Sequence, residues 1–453
     1  MRVMIIGAGA VGHYLASRLS IESQDVVVID RDPESMRRLE SLDVQTILGT
    51  GSSPEVLEEA GVRSAAMVVA VTDSDEVNMI ACLFANALNP AATKIARIRD
   101  KAMTRFPHVL EKDFLDLSLV INPEQEVAKT VLRLLEVPGA SDVVDLADGL
   151  IKLIGVRVAA RAPLAGKKLA DLAGLPQAEH FLIAAISRGE KLIIPRGQDT
   201  ILPDDLVYLI VEPSVLAEVM ELLGNVFSPL HRVTVVGGGS LGYTLASALD
   251  EMPVQTRIIE RDPERCRFLA ENLNKVIVLQ GDGTDRDLLE EEHIADTDAF
   301  VVLTNDEEEN ILMSLLGQQM GARLTITRIS KLSYLPLASA IGLERVVSPR
   351  ISAANAILQY IRRGKIISVT QIQGEEAEAI EFVALETSEI VHRPLNQLNL
   401  PAGTIIGAIV RQEEMIVPKG ETVVLPGDRV VILSRREAVS KVEKALTVKL
   451  SHF

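Results

Sequence analysis

The sequence predicts an α/β protein that arose by tandem duplication. We expect two Rossmann-like domains with doubly wound parallel sheets, each followed by a small α+β domain. The first observation behind this prediction is a glycine motif that occurs twice, as GAGAVG at residues 7–12 and as GGGSLG at residues 237–242. The second is that further landmarks follow each motif in the same order, so the repeat extends over most of the chain.

Each glycine motif has the surroundings of a dinucleotide-binding βαβ unit. A short apolar run precedes it, a helix-like segment follows it, and an acid ends the next apolar run, Asp30 in the first half and Glu260 in the second. Each acid lies 18 residues beyond the last motif glycine, close to the spacing of about 20 that is typical of this motif. Glycines also cluster in ordinary turns, but two complete copies favour a ligand site over that interpretation.

The residues of each motif have separate tasks. The first glycine permits a tight turn, the second lets a pyrophosphate approach backbone N–H groups at a helix N-terminus, and the third lets the helix pack closely on the strand. Asp30 and Glu260 are expected to accept hydrogen bonds from ribose hydroxyls and to repel a 2′-phosphate. The motif therefore favours NAD(H) or an adenine nucleotide over NADP(H), although Arg31 and Arg261, directly after the acids, weaken this exclusion.

Composition limits the function classes. The chain has 453 residues, a formal net charge of −17 and 47% apolar residues, which indicates several folded domains and argues against sequence-independent binding to nucleic acid. No apolar run approaches the roughly 20 residues of a membrane helix, and the first strand begins almost at Met1, where a signal peptide would lie. Cys82 and Cys266 lie far apart and outside any CxxC pattern, so we expect two buried thiols in a cytosolic chain.

The first half alternates strand-like and helix-like segments. After the first βαβ unit, apolar β-runs occupy residues 44–48, 66–72, 94–98 and 117–121. A helix is predicted over residues 73–88, and Pro123 is expected to open another that continues through Glu136. This alternation is typical of a doubly wound parallel sheet.

From about Ser141 the pattern changes to short β-runs separated by glycine and proline turns. The runs lie at residues 151–158, 181–187, 192–195 and 206–211, with a helix at 215–223. These features predict a small α+β domain of roughly 80 residues, a size at which burial on folding is modest. We therefore expect the small domains to pair with other copies, within or between chains. The four predicted domains span residues 1–122, 140–224, 231–350 and 365–449.

The second half repeats these landmarks. GTGS at residues 49–52 corresponds to GDGT at 281–284, and Pro349 stands where Pro123 does. The small domains also match, with PRG and ILPDD within residues 195–205 and PKG and VLPGD within 418–428. Recurring polar residues follow the fourth and fifth strands, where ligands of such sheets bind. They are Thr72, Asp73 and Arg97 in the first half and Thr304, Asn305 and Arg328 in the second.

The two arginines leave two interpretations open. Arg97 and Arg328 could reach phosphate groups, or they could form salt bridges at the sheet edge. No recurrence points to catalysis, because the seven histidines are scattered, none repeats between the halves, and no metal-ligand spacing or nucleophile signature is present. His13, directly after the third glycine, is expected to contact the phosphate edge or solvent. Duplicated binding residues without catalytic ones indicate a sensor, so we assign no catalytic residue and no metal ligand.

The domain order, the two glycine loops and the segments VTDSDEVN, LTNDEEEN and ARIRD resemble the TrkA family, the peripheral regulatory subunits of bacterial Trk-type potassium uptake systems. The resemblance covers nearly the whole chain and implies two nucleotide-binding RCK (KTN) N-domains, each followed by a small RCK C-domain. It also implies a cytosolic protein on the inner face of the plasma (inner) membrane, bound to a potassium-translocating membrane subunit and assembled into a ring. In such a protein NAD or NADH, or else ATP or ADP, would tune transport.

The resemblance further implies which residues bind the nucleotide. In the first half they are Gly7, Ala8, Gly9, Ala10, Val11, Gly12, Asp30, Gly51, Thr72, Asp73 and Arg97. In the second half they are Gly237, Gly238, Gly239, Ser240, Leu241, Gly242, Glu260, Asp282, Thr304, Asn305 and Arg328. Because Thr50 stands where the second half has Asp282, the two sites need not prefer the same ligand.

Three function hypotheses follow. The leading one is a nucleotide-responsive regulator of potassium uptake that works as a homotetramer. The alternative is an NAD-dependent oxidoreductase, because dehydrogenases use the same glycine motif. The third is a scaffold whose glycine loops bind no ligand. Measurements of nucleotide binding and of NADH turnover separate the three.

Overall fold

The described part of the chain forms four sheets in the order parallel, antiparallel, parallel, antiparallel. The computed structural model describes residues 1–22, 24–104, 106–110, 114–189, 191–225, 230–361, 366–372 and 377–446. Two Rossmann-like sheets, each followed by a smaller antiparallel sheet, confirm the predicted fold class and the tandem duplication. The residue boundaries assigned to the four domains stay a prediction.

The first Rossmann-like sheet has six parallel strands. They are β1 (Arg2–Ile6), β2 (Asp25–Asp30), β3 (Gln45–Leu48), β4 (Met67–Ala70), β5 (Thr93–Arg97) and β6 (Leu117–Ile121). The helices are α1 (Ala10–Ile21), α2 (Pro33–Arg37), α3 (Pro54–Glu59), α4 (Asp75–Leu88), α5 (Lys101–Thr104), α6 (Pro107–Leu110) and α7 (Pro123–Glu136). The strand order β3-β2-β1-β4-β5-β6 places a switch point between β1 and β4, where ligands of doubly wound sheets bind.

The first small domain is a five-stranded antiparallel sheet with one α-helix. Its elements are β7 (Ala140–Leu146), β8 (Ile151–Arg157), β9 (Phe181–Arg188), β10 (Lys191–Ile193), β11 (Leu206–Val211) and α8 (Leu216–Leu222), and its strand order is β10-β9-β11-β8-β7. Strand β7 was not among the predicted β-runs. Ser141, Asp142 and Asp145 interrupt its apolar residues, so its pattern does not stand out from a loop.

The second half repeats both sheets. Its parallel sheet contains β12 (Arg232–Val236), β13 (Gln255–Glu260), β14 (Ile277–Gln280), β15 (Ala299–Val302), β16 (Leu324–Arg328) and β17 (Val346–Val347), in the order β14-β13-β12-β15-β16-β17. Its helices are α9 (Ser240–Asp250), α10 (Pro263–Asn272), α11 (Arg286–Glu291), α12 (Glu307–Met320), α13 (Leu335–Ala340) and α14 (Pro349–Ile361). The second small domain contains β18 (Ile366–Ile372), β19 (Ala377–Val383), β20 (Thr404–Arg411), β21 (Glu414–Ile416), β22 (Arg429–Arg435) and α15 (Arg436–Leu446), with the order β18-β19-β22-β20-β21.

Two helices cross between the halves. Helix α7 follows the first Rossmann-like sheet but packs against α9 of the second half, where Val127 and Val131 share a core with Leu245. Helix α14 follows the second sheet but packs against α1, where Ala354 and Ile357 join the core of the first half. The two helices also contact each other. Each half therefore completes the core of the other.

The two small domains pack against each other within one chain, which is one of the two arrangements expected for them. Their sheets share an apolar cluster to which Tyr208 and Ile210 contribute from the first domain and Val431 from the second. Arg429 of the second domain spans the contact, because its guanidinium lies 2.6 Å from Glu381 of its own domain and 2.5 Å from Asp148 of the first domain.

The repeated ILPDD and VLPGD landmarks of the small domains have a structural role. The Asp205 carboxylate is 1% exposed, and Arg188 donates to both of its oxygens at 2.8 and 2.7 Å while the Leu202 N–H donates at 2.8 Å. Asp428 and Arg411 form the same pair at 2.8 and 2.7 Å in the second small domain. The recurrence therefore reflects a buried carboxylate that pairs with an arginine and closes the turn before the last strand of each sheet.

Asp205→Asn is expected to lower the free energy of unfolding of the first small domain. Its Arg188 partner would lose the bidentate carboxylate, and hydrogen bonds to charged groups contribute about 1.5–3 kcal/mol. Urea denaturation followed by circular dichroism measures the change, since the chain lacks tryptophan. Asp204→Asn is the control, because the adjacent Asp204 side chain is 86% exposed. Equal destabilisation by the two variants would contradict the assignment.

The cysteines differ from the prediction in one respect. Cys82 is buried, and burial raises the pKa of its thiol to about 12. Cys266 was predicted to be buried but is only half-buried, because it lies on α10 at the rim of the sheet, where its Sγ donates to the Glu260 carbonyl at 3.3 Å. None of the described helices is both long enough and apolar enough to cross a membrane.

Candidate functional site

Two cavities lie at the carboxyl ends of the parallel strands, one on each Rossmann-like sheet. The first has a volume of about 730 Å³ and the second about 510 Å³. Each glycine loop joins the first strand of its sheet to the first helix and lines the cavity beside it. Both cavities therefore occupy the switch point of their sheet, as the sequence predicted for the ligand.

The three glycines of the first loop are required for three different reasons. Gly7 has φ +106°, and a Cβ there would lie 2.9 Å from the Thr72 amide nitrogen. A Cβ on Gly9 would meet no atom within 4 Å, so this residue faces the open cavity. A Cβ on Gly12 would lie only 1.7 Å from the Gly7 carbonyl oxygen. The loop thus needs the first glycine for its turn and the third for close packing, and leaves room for a ligand at the second.

The second loop reproduces this geometry. Gly237 has φ +100°, Gly239 has no atom within 4 Å of an added Cβ, and a Cβ on Gly242 would lie 1.9 Å from the Gly237 oxygen. The middle glycines precede α1 and α9, whose N-terminal N–H groups supply a partial positive charge to the cavity. A phosphate group is the ligand that suits such a loop.

The acids at the ends of β2 and β13 hold the glycine loops in place. Asp30 accepts hydrogen bonds from the Ala8 N–H at 2.5 Å and from the Asp32 N–H at 2.9 Å. Glu260 accepts from the Gly238 N–H at 2.6 Å and from the Asp262 N–H at 2.8 Å. Both acids also line their cavities, so they can accept hydrogen bonds from a ligand as well.

Asp30→Ala is expected to weaken NAD(H) binding at the first site by roughly 1–3 kcal/mol, the cost of a lost charged hydrogen bond. Glu260→Ala should do the same at the second site. Calorimetric titration measures both losses, and Asp25→Ala, at the exposed start of the same strand as Asp30, is the control. If Asp30→Ala unfolds the ligand-free chain, the acid has a structural role in the loop and its assignment to ligand binding is wrong.

Two buried asparagines join the strand ends to the helices that follow. The Asn78 side-chain oxygen accepts from the Thr72 N–H at 2.9 Å and from the Thr72 hydroxyl at 2.7 Å, and its amide donates to the Arg97 carbonyl at 2.9 Å. Asn310 makes the same three contacts with Thr304 and Arg328, at 3.1, 2.6 and 3.1 Å. Both asparagines are 0% exposed. They fix the threonines at the cavity edge without lining the cavity themselves.

Both interpretations of the repeated arginines describe part of the geometry. Arg97 Nη1 lies 3.1 Å from Asp73, and Arg328 Nη1 donates to Asn305 Oδ1 at 2.9 Å, so each bonds at the sheet edge. Each also lines a cavity. Burial lowers the pKa of both guanidiniums, but an arginine stays charged at neutral pH.

The structure brings most of the predicted residues together around the cavities. The first cavity is lined by Gly7, Gly9, Ala10, Val11, Asp30, Gly51, Thr72, Asp73 and Arg97. The second is lined by Gly237, Gly239, Ser240, Leu241, Glu260, Asp282, Thr304, Asn305 and Arg328. The remaining four, Ala8, Gly12, Gly238 and Gly242, belong to the same loops but do not line the cavities. His13 is not at the first cavity, because its ring nitrogen lies 3.2 Å from the Arg38 carbonyl.

The sequence interpretation missed the residues that cross between the halves. Asn305, Arg328, Ser330 and Arg350 of the second half line the first cavity. Glu124 of the first half lines both cavities and accepts a hydrogen bond from Ser240 Oγ. The repeated prolines mark the helices that carry Glu124 and Arg350, but no pattern in the sequence shows that these helices cross.

Two further arginines were also missed. Arg99 lines the first cavity and donates to the Asp73 carbonyl. Arg265 donates to the Gly238 carbonyl at 2.6 Å and lies over the Phe268 ring, 4.3 Å from its centre. The first half has Ser35 at the position of Arg265, so the surroundings of the two glycine loops are not identical.

Comparisons with known proteins agree with the tandem order of the domains. The chain matches the TrkA-N domain at residues 3–123 and 233–349 and the TrkA-C domain at residues 153–224 and 379–447. The Trk system potassium uptake protein TrkA of Halomonas elongata is 38% identical, and that of Azorhizobium caulinodans 36%, each over 100% of both chains. The GsuK channel bound to NAD superposes with a TM-score of 0.60 at 18% identity, covering 98% of this chain and 78% of that one, a likeness of fold alone.

Proposed function

We propose that this chain, which belongs to the TrkA family of Trk system potassium uptake proteins, is a cytosolic nucleotide-responsive subunit that gates a potassium-translocating membrane protein. The observation that carries the proposal is the position of the two cavities between the halves. They share Glu124, Asn305 and Arg328, so a ligand in either cavity acts on residues of both halves. Nucleotide occupancy can therefore change how the halves are arranged.

The ligand class follows from the loops. NAD or NADH suits a glycine loop followed by a ribose-binding acid, and the solved GsuK channel of the same fold is bound to NAD. ATP and ADP carry the same adenosine diphosphate part and are the alternative ligands. The nucleotide contacts are the predicted binding residues of both halves. This set begins with Gly7 and ends with Arg97 in the first half, and begins with Gly237 and ends with Arg328 in the second.

A homotetramer gives the proposed switch enough free energy. A ligand shifts a conformational equilibrium only through its different affinities for the two states. Moving a switch from 1:99 to 99:1 takes about 5.5 kcal/mol. A tenfold difference at one site supplies about 1.4 kcal/mol, so four equivalent sites acting together supply about 5.6 kcal/mol. A modest preference at each site is enough when the four chains move together.

The test combines shape and transport. Small-angle scattering of the purified chain with NAD, NADH, ADP and ATP should separate at least two shapes. Potassium uptake into proteoliposomes that contain the membrane subunit should change with the same nucleotides. Identical scattering and identical uptake, at concentrations where binding is measured, would contradict regulation by nucleotides.

The glycine loops also favour a second candidate, an NAD-dependent oxidoreductase. The two candidates separate in one assay, in which the pure chain is mixed with NADH and a panel of oxo and hydroxy acids. Turnover on the order of 1–10³ s⁻¹, the ordinary range of enzymes, would favour the oxidoreductase. We expect binding without turnover.

A further inference from the structure

The second glycine loop begins with three consecutive glycines, whereas the first loop has Ala8 at the middle position. The packing behind the loop favours this extra glycine, because a Cβ on Gly238 would lie 2.5 Å from Leu269 Cδ1 and 3.0 Å from Glu260 Oε2. Glycine loses more conformational freedom than any other residue when its backbone is fixed. The second loop therefore needs more contacts than the first to hold one conformation.

Arg265 of α10 supplies such contacts. Its Nε donates to the Gly238 carbonyl at 2.6 Å, and its Nη2 donates to the Gly239 carbonyl at 3.3 Å. Gly239 is the residue before α9, so both bonds hold the backbone that leads into this helix. Arg265 is not among the described residues that line the second cavity. It therefore acts on the loop and not on the space that a ligand would occupy.

Two aromatic rings hold the Arg265 guanidinium. Its carbon lies 4.3 Å from the centre of the Phe268 ring and 5.7 Å from that of the Tyr243 ring, both within the range of cation–π attraction. The two rings also contact each other edge to face, with their centres 5.2 Å apart. A guanidinium that is already restrained loses little further freedom when it donates to the loop.

The first half has different residues at all three positions. At the same offset of 230, His13 stands for Tyr243, Ser35 for Arg265 and Arg38 for Phe268. The Ser35 hydroxyl donates to Asp32 at 2.7 Å, and a ring nitrogen of His13 lies 3.2 Å from the Arg38 carbonyl. Neither bond involves the glycine loop. The cluster of Arg265, Tyr243 and Phe268 is therefore specific to the second site.

We propose that Arg265 is a positioning residue of the second nucleotide site, which holds the second glycine loop in its binding conformation before the ligand arrives. The proposal rests on the proposed function, in which the second cavity binds a nucleotide. A ligand that meets an ordered loop loses less free energy to the ordering of that loop. Because Arg265 bonds to the loop and not to the ligand, the gain should be equal for every ligand whose pyrophosphate binds there.

The first test is calorimetric titration of the full chain with NAD and with ADP. Gly9→Val closes the first site, so this background reports the second site alone. We expect Arg265→Met to weaken NAD and ADP alike by about tenfold. Arg265→Lys should lose only part of this affinity, because an ammonium can donate to one carbonyl but lacks the planar fork. Arg267→Met, at an exposed position of the same helix, is the matched control and should change neither affinity.

The second test measures the order of the loop itself. In the ligand-free chain, amide hydrogen exchange of the second loop should be faster in Arg265→Met than in wild type, while exchange of the first loop stays the same. Saturating NAD should restore wild-type protection, because the bound ligand orders the loop in both chains. The unfolding temperature of the ligand-free variant should stay near that of wild type. A loss of stability with unchanged loop exchange would show a merely structural role and contradict the proposal.

Phe268 provides a second pair of variants that keep the arginine. Phe268→Leu removes the ring beneath the guanidinium, and the position is 38% exposed, so the variant should fold. We expect it to weaken NAD and ADP alike by about threefold, the value of an exposed cation–π contact. Phe268→Tyr keeps the ring and should retain the wild-type affinity. Equal affinities in the two variants would contradict the role of the ring.

The outcomes separate this proposal from the proposed function. If Arg265→Met changes neither affinity, or weakens NAD and ADP by different factors, the positioning role is wrong while regulation by nucleotides stands. The same holds if the Gly9→Val chain binds neither ligand while the wild-type chain does. If the affinities change as expected but potassium uptake responds to neither nucleotide, the proposed regulation fails and the positioning role stands. If neither ligand binds the wild-type chain, both fail.

Discussion

Gly9→Val is expected to lower nucleotide affinity at the first site by at least about 100-fold, or about 2.8 kcal/mol. The reason is the open space at this residue, where an added Cβ meets no atom within 4 Å. The backbone has φ −63° and ψ −172°, which any residue can adopt, so the variant should fold. Valine is a poorer helix N-cap than glycine, and we expect this to cost only about 1 kcal/mol of stability. The new side chain then occupies the space that a pyrophosphate needs.

Equilibrium binding of NAD, ADP and ATP to the purified chain measures the effect of Gly9→Val. Gly239→Val is the matched variant of the second site, with the same open space and a similar backbone, φ −58° and ψ −167°. The single variants should each lose one class of sites and the double variant both. Unchanged binding in the double variant, with the fold intact by circular dichroism, would place the ligand elsewhere.

Gly12→Ala should instead damage the fold. An alanine Cβ would lie 1.7 Å from the Gly7 carbonyl oxygen, and this backbone atom belongs to a tight turn that cannot move away easily. Overpacking of a buried position costs typically 1–3 kcal/mol, so we expect a loss of about 3 kcal/mol in the free energy of unfolding. Alanine gains at most about 1 kcal/mol in helix propensity over glycine, which does not offset the clash.

Thermal unfolding of the ligand-free chain measures the cost of Gly12→Ala. Gly9→Ala, in the same loop, is the control and should unfold near the wild-type temperature. Gly242→Ala, whose Cβ would lie 1.9 Å from the Gly237 oxygen, should resemble Gly12→Ala in the second half. If Gly9→Ala destabilises the chain as much as Gly12→Ala, the three glycines do not have the separate roles that the geometry assigns.

The glycine loops, the parallel strands and the order of the sheets could be predicted because each depends on local sequence. The turn at Gly7 needs a positive φ, the β-runs are apolar throughout because helices cover both faces of the sheet, and Pro123 fixes the start of α7. The helix predicted from Pro123 through Glu136 is observed with the same bounds. These signals depend on neighbouring residues in the sequence and not on tertiary contacts.

The crossing of α7 and α14 could not be predicted in this way. Both helices present apolar faces, and such a face can pack on the sheet of its own half or on that of the other half. The choice depends on how α7 fits against α9 and how α14 fits against α1, which no spacing in the sequence encodes. For the same reason Glu124 and Arg350 were not recognised as cavity residues.

The crossing helices have a consequence for how the two halves could diverge. In a dimer of identical half-length chains, twofold symmetry would place the same residue after the helix-opening proline at both cavities. Joining the halves in one chain removes that constraint, because Glu124 and Arg350 are encoded separately. Neither half could then be exchanged for a second copy of the other without making the cavities alike. If the chain is divided between residues 225 and 230, each fragment lacks the helix that completes its core. We therefore expect the two fragments to be soluble only when they are co-expressed and form a heterodimer.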